Sequence, residues 1–313
     1  FFVATLEEGV AVRRVAKHAN IYVLNGVIDS DAWQELHYHD IRPVLNDLGQ
    51  VDRWILHRGR DPQNELSAAI HIDTGMTRYG VSDIQIPLLK QRLGERYCPS
   101  LLMSHLACAD EEGHELNHAQ LMRFMHSVDS LALGDGGCQL SLANSSGIFL
   151  GNEYHFDVAR AGAALYGINP QPNQPNKMAE VLHLKSKIAQ VRTVDSPVTV
   201  GYGAAHRVNA PARVATIPVG YADGFLRSLG GKAWAFVGET YVPVIGRVSM
   251  DSMTLDVSGV AEDKAREGSN VELIGQRRPL DIVAREAGTI GYEILTRISR
   301  RITRVYIDGN NVV

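Results

Sequence analysis

Short apolar runs alternate with segments of helical period through the first half of the chain. FFVAT, IYVLNG, RPVLN, SAAIHI, SLLMSHLA, QLSLANSS and DVARAGAALYG are brief, apolar and partly β-branched, and they read as strands. Between several of them lie segments such as TLEEGVAVRRVAKH, SDIQIPLLKQRLGERY and HAQLMRFMHSV, whose apolar residues recur as on one face of a helix. Thr5 followed by Glu8 is a capping-box signature, which predicts a helix start directly after the first strand. Such alternation predicts parallel strands joined by crossover helices, an α/β fold. Seven strand-led units can be counted, one short of a closed (β/α)8 barrel, so the reading is a (β/α)8-type barrel lacking its first unit. That unit would occupy roughly 30 residues before Phe1.

The alternation stops at NPQPNQPNKMAE, where Pro and Asn crowd together, and this predicts a boundary between domains at 1–178 and 179–313. Beyond it the pattern is mostly strands: HLKSKIAQVRTV, RVATIPVG, KAWAFVGETYVPVIGRVSMDSMTLDVS, NVELIG and RITRVYIDG. Two helical stretches interrupt them, near PLDIVAREAG and YEILTRIS. The second domain is therefore expected to be mainly β.

Composition changes this picture little. A chain of 313 residues with 45% hydrophobic and 21% charged residues has the make-up of a globular protein. Its net charge of −4 gives no electrostatic reason to expect nucleic acid or an anionic membrane as partner. No apolar run approaches the ~20 residues of a membrane span. Cys98, Cys108 and Cys138 show no C-x-x-C spacing and are odd in number, which fits a reducing compartment, so the cytoplasm is the default expectation. The chain opens on FFVATLEEGV with neither an initiator methionine nor a signal sequence, which suggests that something upstream has been lost. There is no P-loop and no G-x-G-x-x-G, and His37 and His39 in HYHD are read as surface residues rather than metal ligands.

Chemistry in a parallel barrel gathers where strands end. SAAIHI runs into DTGMTRYG, which puts Asp73 and Arg78 on such a loop, and His105 lies near the end of SLLMSHLA. SLANSSG ends with Asn144, Ser145 and Ser146 before Gly147, a set of hydroxyls and backbone N–H groups suited to an anion. Arg160 is followed by Gly162, which would let a ligand approach the backbone closely. Each has a plain structural alternative: a core histidine, an Arg160–Asp157 pair, an ordinary turn. Together they favour a phosphorylated or carboxylated ligand. In the second domain VTVGYGAAH holds Tyr202 between two glycines, and two Gly-bounded segments carry Tyr221 and the pair Met250 and Asp251.

HIDTGMTRYG, MSHLACADE, NSSGIFL, DVARAGAALYG, VTVGYGAAH, VGYADG, GRVSMDSM and GYEILTRISRR follow one another in an order that resembles the bacterial alanine racemases, across essentially the whole chain. The resemblance implies a pyridoxal 5'-phosphate enzyme interconverting L- and D-alanine through an aldimine by two-base proton transfer. It implies a homodimer with shared active sites. By position, Tyr202 resembles the catalytic tyrosine lent by the partner subunit, its flanking glycines letting the phenol enter a crowded site. Arg160 resembles the arginine facing the pyridine nitrogen, and His105 the histidine between that arginine and the tyrosine. Ser145, Gly162, Ala163 and Tyr292 match phosphate-holding positions, with Asn144 beside them. Arg78 resembles the arginine near the substrate carboxylate, Met250 would offer its backbone N–H to that carboxylate, and Tyr221 would line the entrance. A phenol with pKa near 10 needs nearby positive charge to act as a base at neutrality, and a His105–Arg160 pair would supply it.

Two departures stand beside the resemblance. The family's Schiff-base lysine lies on the first barrel strand, and none of Lys17, Lys90, Lys177, Lys185, Lys187, Lys232 or Lys264 matches it. With the strand count, this sets the expectation that an N-terminal segment is missing and that the chain as given would be inactive. Many relatives also carry a lysine where this chain has His71, which bears on how Arg78 is held; Ser249, cysteine in some relatives, is a mild change. Serine or broad-specificity racemisation, or non-catalytic cofactor binding, stays open as an alternative. So do cell-wall D-alanine synthesis and D-alanine catabolism.

Overall fold

The computed structural model describes residues 1–29, 32–60, 66–133, 137–308 and 311–312. Contacts divide it into two units, one of Phe1–Gly162 with Pro170–Pro175, the other of Ala163–Asn169 with the chain from Asn176 onward.

In the first unit, β1 (Phe2–Val3), β2 (Tyr22–Val23), β3 (Arg42–Leu45), β4 (Ala69–His71), β5 (Leu101–Met103) and β6 (Gln139–Ser141) form one sheet in chain order, every pair parallel. The crossovers carry α1 (Leu6–Val15), α2 (Ala32–Tyr38), α3 (Leu48–Arg60), α4 (Ile86–Leu93) and α5 (Glu115–Leu131). α1 starts as its sequence predicts: Thr5 Oγ1 accepts from Glu8 N–H while the Glu8 carboxylate accepts from the Thr5 and Ala4 N–H groups. Period-two alternation separates the faces of the sheet. Val23, Leu45, Ile70 and Leu102 join a core with Trp54, Leu89 and Phe124 from the helices, whereas Tyr22, Val44, Ala69, Leu101 and Met103 form a second, smaller cluster on the other face. The result is an open six-stranded parallel sheet of the incomplete barrel type.

The run DVARAGAALYG, read as a seventh strand, pairs only locally with β6 and its extension. Val158 N–H donates to Leu140 O (3.1 Å) and Arg160 N–H to Ala143 O (2.9 Å), with one isolated parallel bridge, Asn144–Arg160. From Ala163 to Tyr166 the chain winds into a single 3-10 turn instead, leaving Leu165 and Tyr166 exposed.

The second unit is built on an antiparallel sheet. Its strands are β7 (Leu184–Lys187), β8 (Gln190–Val194), β11 (Ala212–Ile217), β12 (Trp234–Val237), β13 (Thr240–Ile245), β14 (Met253–Asp256) and β15 (Asn270–Ile274), in the order β7-β15-β12-β13-β14-β11-β8. β9 (Val198–Val200) and β10 (His206–Val208) form a separate hairpin, and α6 (Leu280–Ala287) and α7 (Gly291–Arg297) are the two predicted helices. RITRVYIDG supplies only β16 (Ile307–Asp308), which pairs with β17 (Asn311–Val312); the Gly309 end of that run lies outside the described residues. Arg278 is fully buried in this unit. It pairs with Glu286 at 2.5 Å, donates to Leu273 O at 2.8 Å and lies over the Trp234 and Phe225 rings.

Candidate active site

The ends of β4, β5 and β6 carry a cluster of basic groups. His71 closes β4, His105 follows β5, and Arg160, on the segment alongside β6, sets its guanidinium against Ser104 and His105. The Arg160 guanidinium donates to Ser104 O, to Ser141 Oγ and, at 3.4 Å, to Leu142 O, and its Nη2 lies 3.3 Å from His105 Nδ1. These partners are all neutral. The Arg160–Asp157 pair held open by the sequence does not form: the Asp157 carboxylate accepts from Leu140 N–H, at 2.8 Å. Burial pulls the guanidinium pKa down to about 10, so it stays charged at neutral pH.

Burial first, then the charges of Arg160 and Arg78, push the His105 pKa down to about 3. The same two causes take His71 to about 4, partly opposed by Asp73. Both imidazoles are therefore neutral at physiological pH. A guanidinium can only donate, so His105 Nδ1 must accept and its proton must sit on Nε2. Asn144 Nδ2 stands 3.4 Å from that nitrogen, its amide oriented by a bond from Nδ2 to Leu106 O (3.2 Å) and one from Gly147 N–H to Oδ1 (2.9 Å). Two N–H groups facing each other make no bond, which leaves the His105 Nε2–H free to donate elsewhere. His71 is held differently, by Asn46 Oδ1 at 3.2 Å from its Nδ1.

Ser145 is buried, and its Oγ accepts from Gly162 N–H at 3.0 Å. A Cβ added to Gly162 would meet nothing within 4 Å, so the backbone there faces open space. Arg78 is exposed on a loop whose turn is tied by Asp73 Oδ1, which accepts from the Gly75, Met76 and Thr77 N–H groups, each at 3.0 Å.

The remaining sequence-derived residues lie in the second unit. Tyr202 sits in a 3-10 turn between β9 and β10 and is 71% exposed. Its glycine neighbours have left-handed backbones, φ +74° at Gly201 and +69° at Gly203, so they are required by the turn itself. Tyr221 and Met250 lie on segments that the structure brings together: Tyr221 N–H donates to Ser249 O (3.0 Å) and Ala222 N–H to Met250 O (2.8 Å). Gly220 makes this possible, since a Cβ there would come within 2.5 Å of Met250 O. Ala163 opens the 3-10 turn Ala163–Tyr166, and Tyr292 is half-exposed on the first turn of α7. Sequence reasoning missed Ser104, Ser141 and Asn46, which orient Arg160 and His71; their one signal is a polar residue inside an otherwise apolar strand run.

Fold and site together define a two-unit protein, a parallel α/β sheet with two neutral histidines and a buried arginine at its strand ends, and an antiparallel β unit. Residues 1–170 match the family described as alanine racemase, N-terminal domain, and residues 181–306 its C-terminal domain. The chain belongs to the alanine racemase family. It is 43% identical over 309 residues to the alanine racemase of Rhodospirillum rubrum, covering 98% of this chain and 81% of that protein. It is 42% identical to a catabolic alanine racemase of Mesorhizobium japonicum, covering 99% and 80%. Among solved structures, the alanine racemase of Bartonella henselae with covalently bound pyridoxal phosphate superposes with a TM-score of 0.90 at 33% identity, covering 98% of this chain and 84% of that one.

These matches correct one expectation. A missing N-terminal segment and an inactive chain were inferred from a strand count and an unmatched lysine; instead the N-terminal domain of the family is matched from residue 1 and both domains are matched in order. The strand count was the weak step. DVARAGAALYG, counted as a strand, contributes a single bridge, and the sheet itself has six strands, so the count of seven described neither this sheet nor a closed barrel.

Proposed function

We propose that this protein interconverts L- and D-alanine with pyridoxal 5'-phosphate as its cofactor. The donor set suits that group: a guanidinium whose hydrogen-bond partners among the described residues are all neutral, and a buried serine hydroxyl beside a glycine with open space before it. When bound, the cofactor withdraws electrons from the substrate α-carbon and so makes its proton removable. Arg160 would hold the ring nitrogen; a guanidinium at neutral pH only donates, so it would leave that nitrogen unprotonated and the electron withdrawal moderate, which would disfavour transamination. Ser145, Gly162, Ala163, Tyr292 and Asn144 would hold the phosphate. Arg78 and the Met250 N–H would orient the substrate carboxylate, with Tyr221 at the entrance.

Tyr202 would move the proton on one face, reaching the site from the second subunit of a homodimer. His105 supports this through its tautomer: Nε2–H can donate to a phenolate, and Arg160 behind it supplies the positive charge that a neutral imidazole lacks. The domains would divide this work as 1–178 for the cofactor and 179–313 for Tyr202 and the substrate contacts. The single observation that carries the reading is Arg160 bonded to neutral partners and to His105 Nδ1. The experiment is to incubate the full-length protein with L-alanine and assay D-alanine, alongside the ~420 nm absorption that reports bound cofactor. Tyr202→Phe should retain the absorption and lose turnover by at least about 100-fold. Normal turnover in that variant would refute the role of the phenol, and absorption without turnover in the wild type would favour a binding protein.

A further inference from the structure

α5 packs on the sheet through Leu121, Phe124 and Leu131, and at the N-terminal end of that buried face, one turn beyond Asn117, stands Gln120, fully buried. An amide in such a place is tolerated only when its hydrogen bonds are made. They are. Gln120 Oε1 accepts from Ala107 N–H at 2.8 Å, and Nε2 donates to His105 O at 2.9 Å and to Thr74 Oγ1 at 3.0 Å. Two of these partners lie just beyond β5, and the third lies on the loop that carries Arg78. Thr74 Oγ1 is in turn 2.7 Å from Ser104 Oγ, and Ser104 offers its carbonyl to Arg160. Arg123, one turn further along α5, donates to Thr74 O at 2.9 Å. A Cβ on Gly75 would come within 2.9 Å of that guanidinium, so the loop lies directly on the helix, where glycine with φ +140° is needed.

We propose that Gln120 is a positioning residue for the reaction, fixing the Arg78 loop against the His105 end of β5 so that Arg78 is held in place for the substrate carboxylate. The inference rests on the racemase reading above. An apolar residue of the same volume would fill the core equally well; what it could not do is tie two functional segments to each other.

Gln120→Met removes all three bonds at nearly constant volume. The Michaelis constant for L-alanine is expected to rise about tenfold while kcat falls less than threefold, since a carboxylate clamp acts on bound substrate and transition state alike. Leu121→Ala, beside it in the same core, should lower stability and leave KM unchanged. A role limited to stability predicts the opposite for Gln120→Met, fewer active molecules at unaltered KM, and that result overturns the proposal; so does an equal KM rise in Leu121→Ala. Combined with Arg78→Lys, the KM effects should fall well short of multiplying, because both act on one clamp; independent effects would overturn it. Should Gln120→Met fail to fold, Thr74→Val, which deletes the hydroxyl shared with Ser104, carries the same expectation and the same refutation. Amide hydrogen exchange over residues 73–80 and 104–107 separates this from the racemase reading. It should quicken about tenfold in Gln120→Met and not in Leu121→Ala whether or not the protein turns over alanine, and unchanged exchange overturns the proposal by itself.

Discussion

Arg160 shows how much a single side chain's surroundings decide. The same guanidinium beside Asp157 would be a structural ion pair; with Ser104, Ser141, Leu142 and His105 as partners it is a charge with no carboxylate partner among the described residues. This makes substitution informative. Arg160→Glu would set a carboxylate opposite the expected ring nitrogen, which would keep that nitrogen protonated and strengthen electron withdrawal. Racemisation should fall by about 100-fold or more while pyruvate, the product of transamination, increases; assaying both D-alanine and pyruvate checks it, and a variant that lost racemisation without gaining pyruvate would count against the role assigned to Arg160. His105 illustrates the complementary point. Its residue type suggests an imidazolium, yet burial between two arginines makes it neutral, so its contribution is the direction of one N–H rather than a charge.

At the scale of elements, the second unit depends on one cross-link within its core. Glu286 on α6 accepts from the Trp234 indole N–H on β12 (2.6 Å) and pairs with Arg278 after β15, joining one helix to two parts of the sheet. Arg278 has no exposed surface, and among the described residues its Nε finds no hydrogen-bond partner and Glu286 is the carboxylate paired with it. Glu286→Ala would strand a cation in the core and is expected to destabilise the unit by about 3 kcal/mol, read from the denaturant midpoint. Arg278→Met with Glu286→Leu should recover much of that loss, because replacing both partners removes the stranded charge; a double variant as weak as the single would show that packing, not charge, is at stake. The elements also show where pattern reading succeeds. The capping box of α1, the amphipathic α4 and α5, and the seven strands of the antiparallel sheet are visible because each answers to local chemistry and a simple period. DVARAGAALYG was misread as a strand because its β-like composition says nothing about the 3-10 turn that begins at Ala163.

Across the whole molecule, two buried histidines make stability depend on pH. His71 and His105 hold their pKa values well below the ordinary 6.5 of histidine, at about 4 and about 3. The unfolded chain takes up protons on both as pH falls through 6.5, and the folded chain does not. Their contribution is thus intact above pH 6.5 and is lost progressively below it, by up to about 1.4 kcal/mol per pH unit for each histidine. Urea unfolding between pH 7 and pH 4.5 should show this decline, and His71→Gln with His105→Gln should flatten it; an identical slope in the variant would mean that other groups carry the acid sensitivity. Among the described residues no helix is long and apolar enough to cross a membrane.

The sequence by itself determined the alternation of strands and helices in the first half and the mainly β character of the second, because these depend on local periodicity and turn chemistry. Tertiary structure alone decided that Arg160 would ignore Asp157, that both histidines would be neutral, and that Gln120 would join Thr74 to His105. Those outcomes depend on which groups meet across 15 to 56 positions of chain and on how much water is excluded when they do. Neither quantity is written in the local pattern of a strand or a helix.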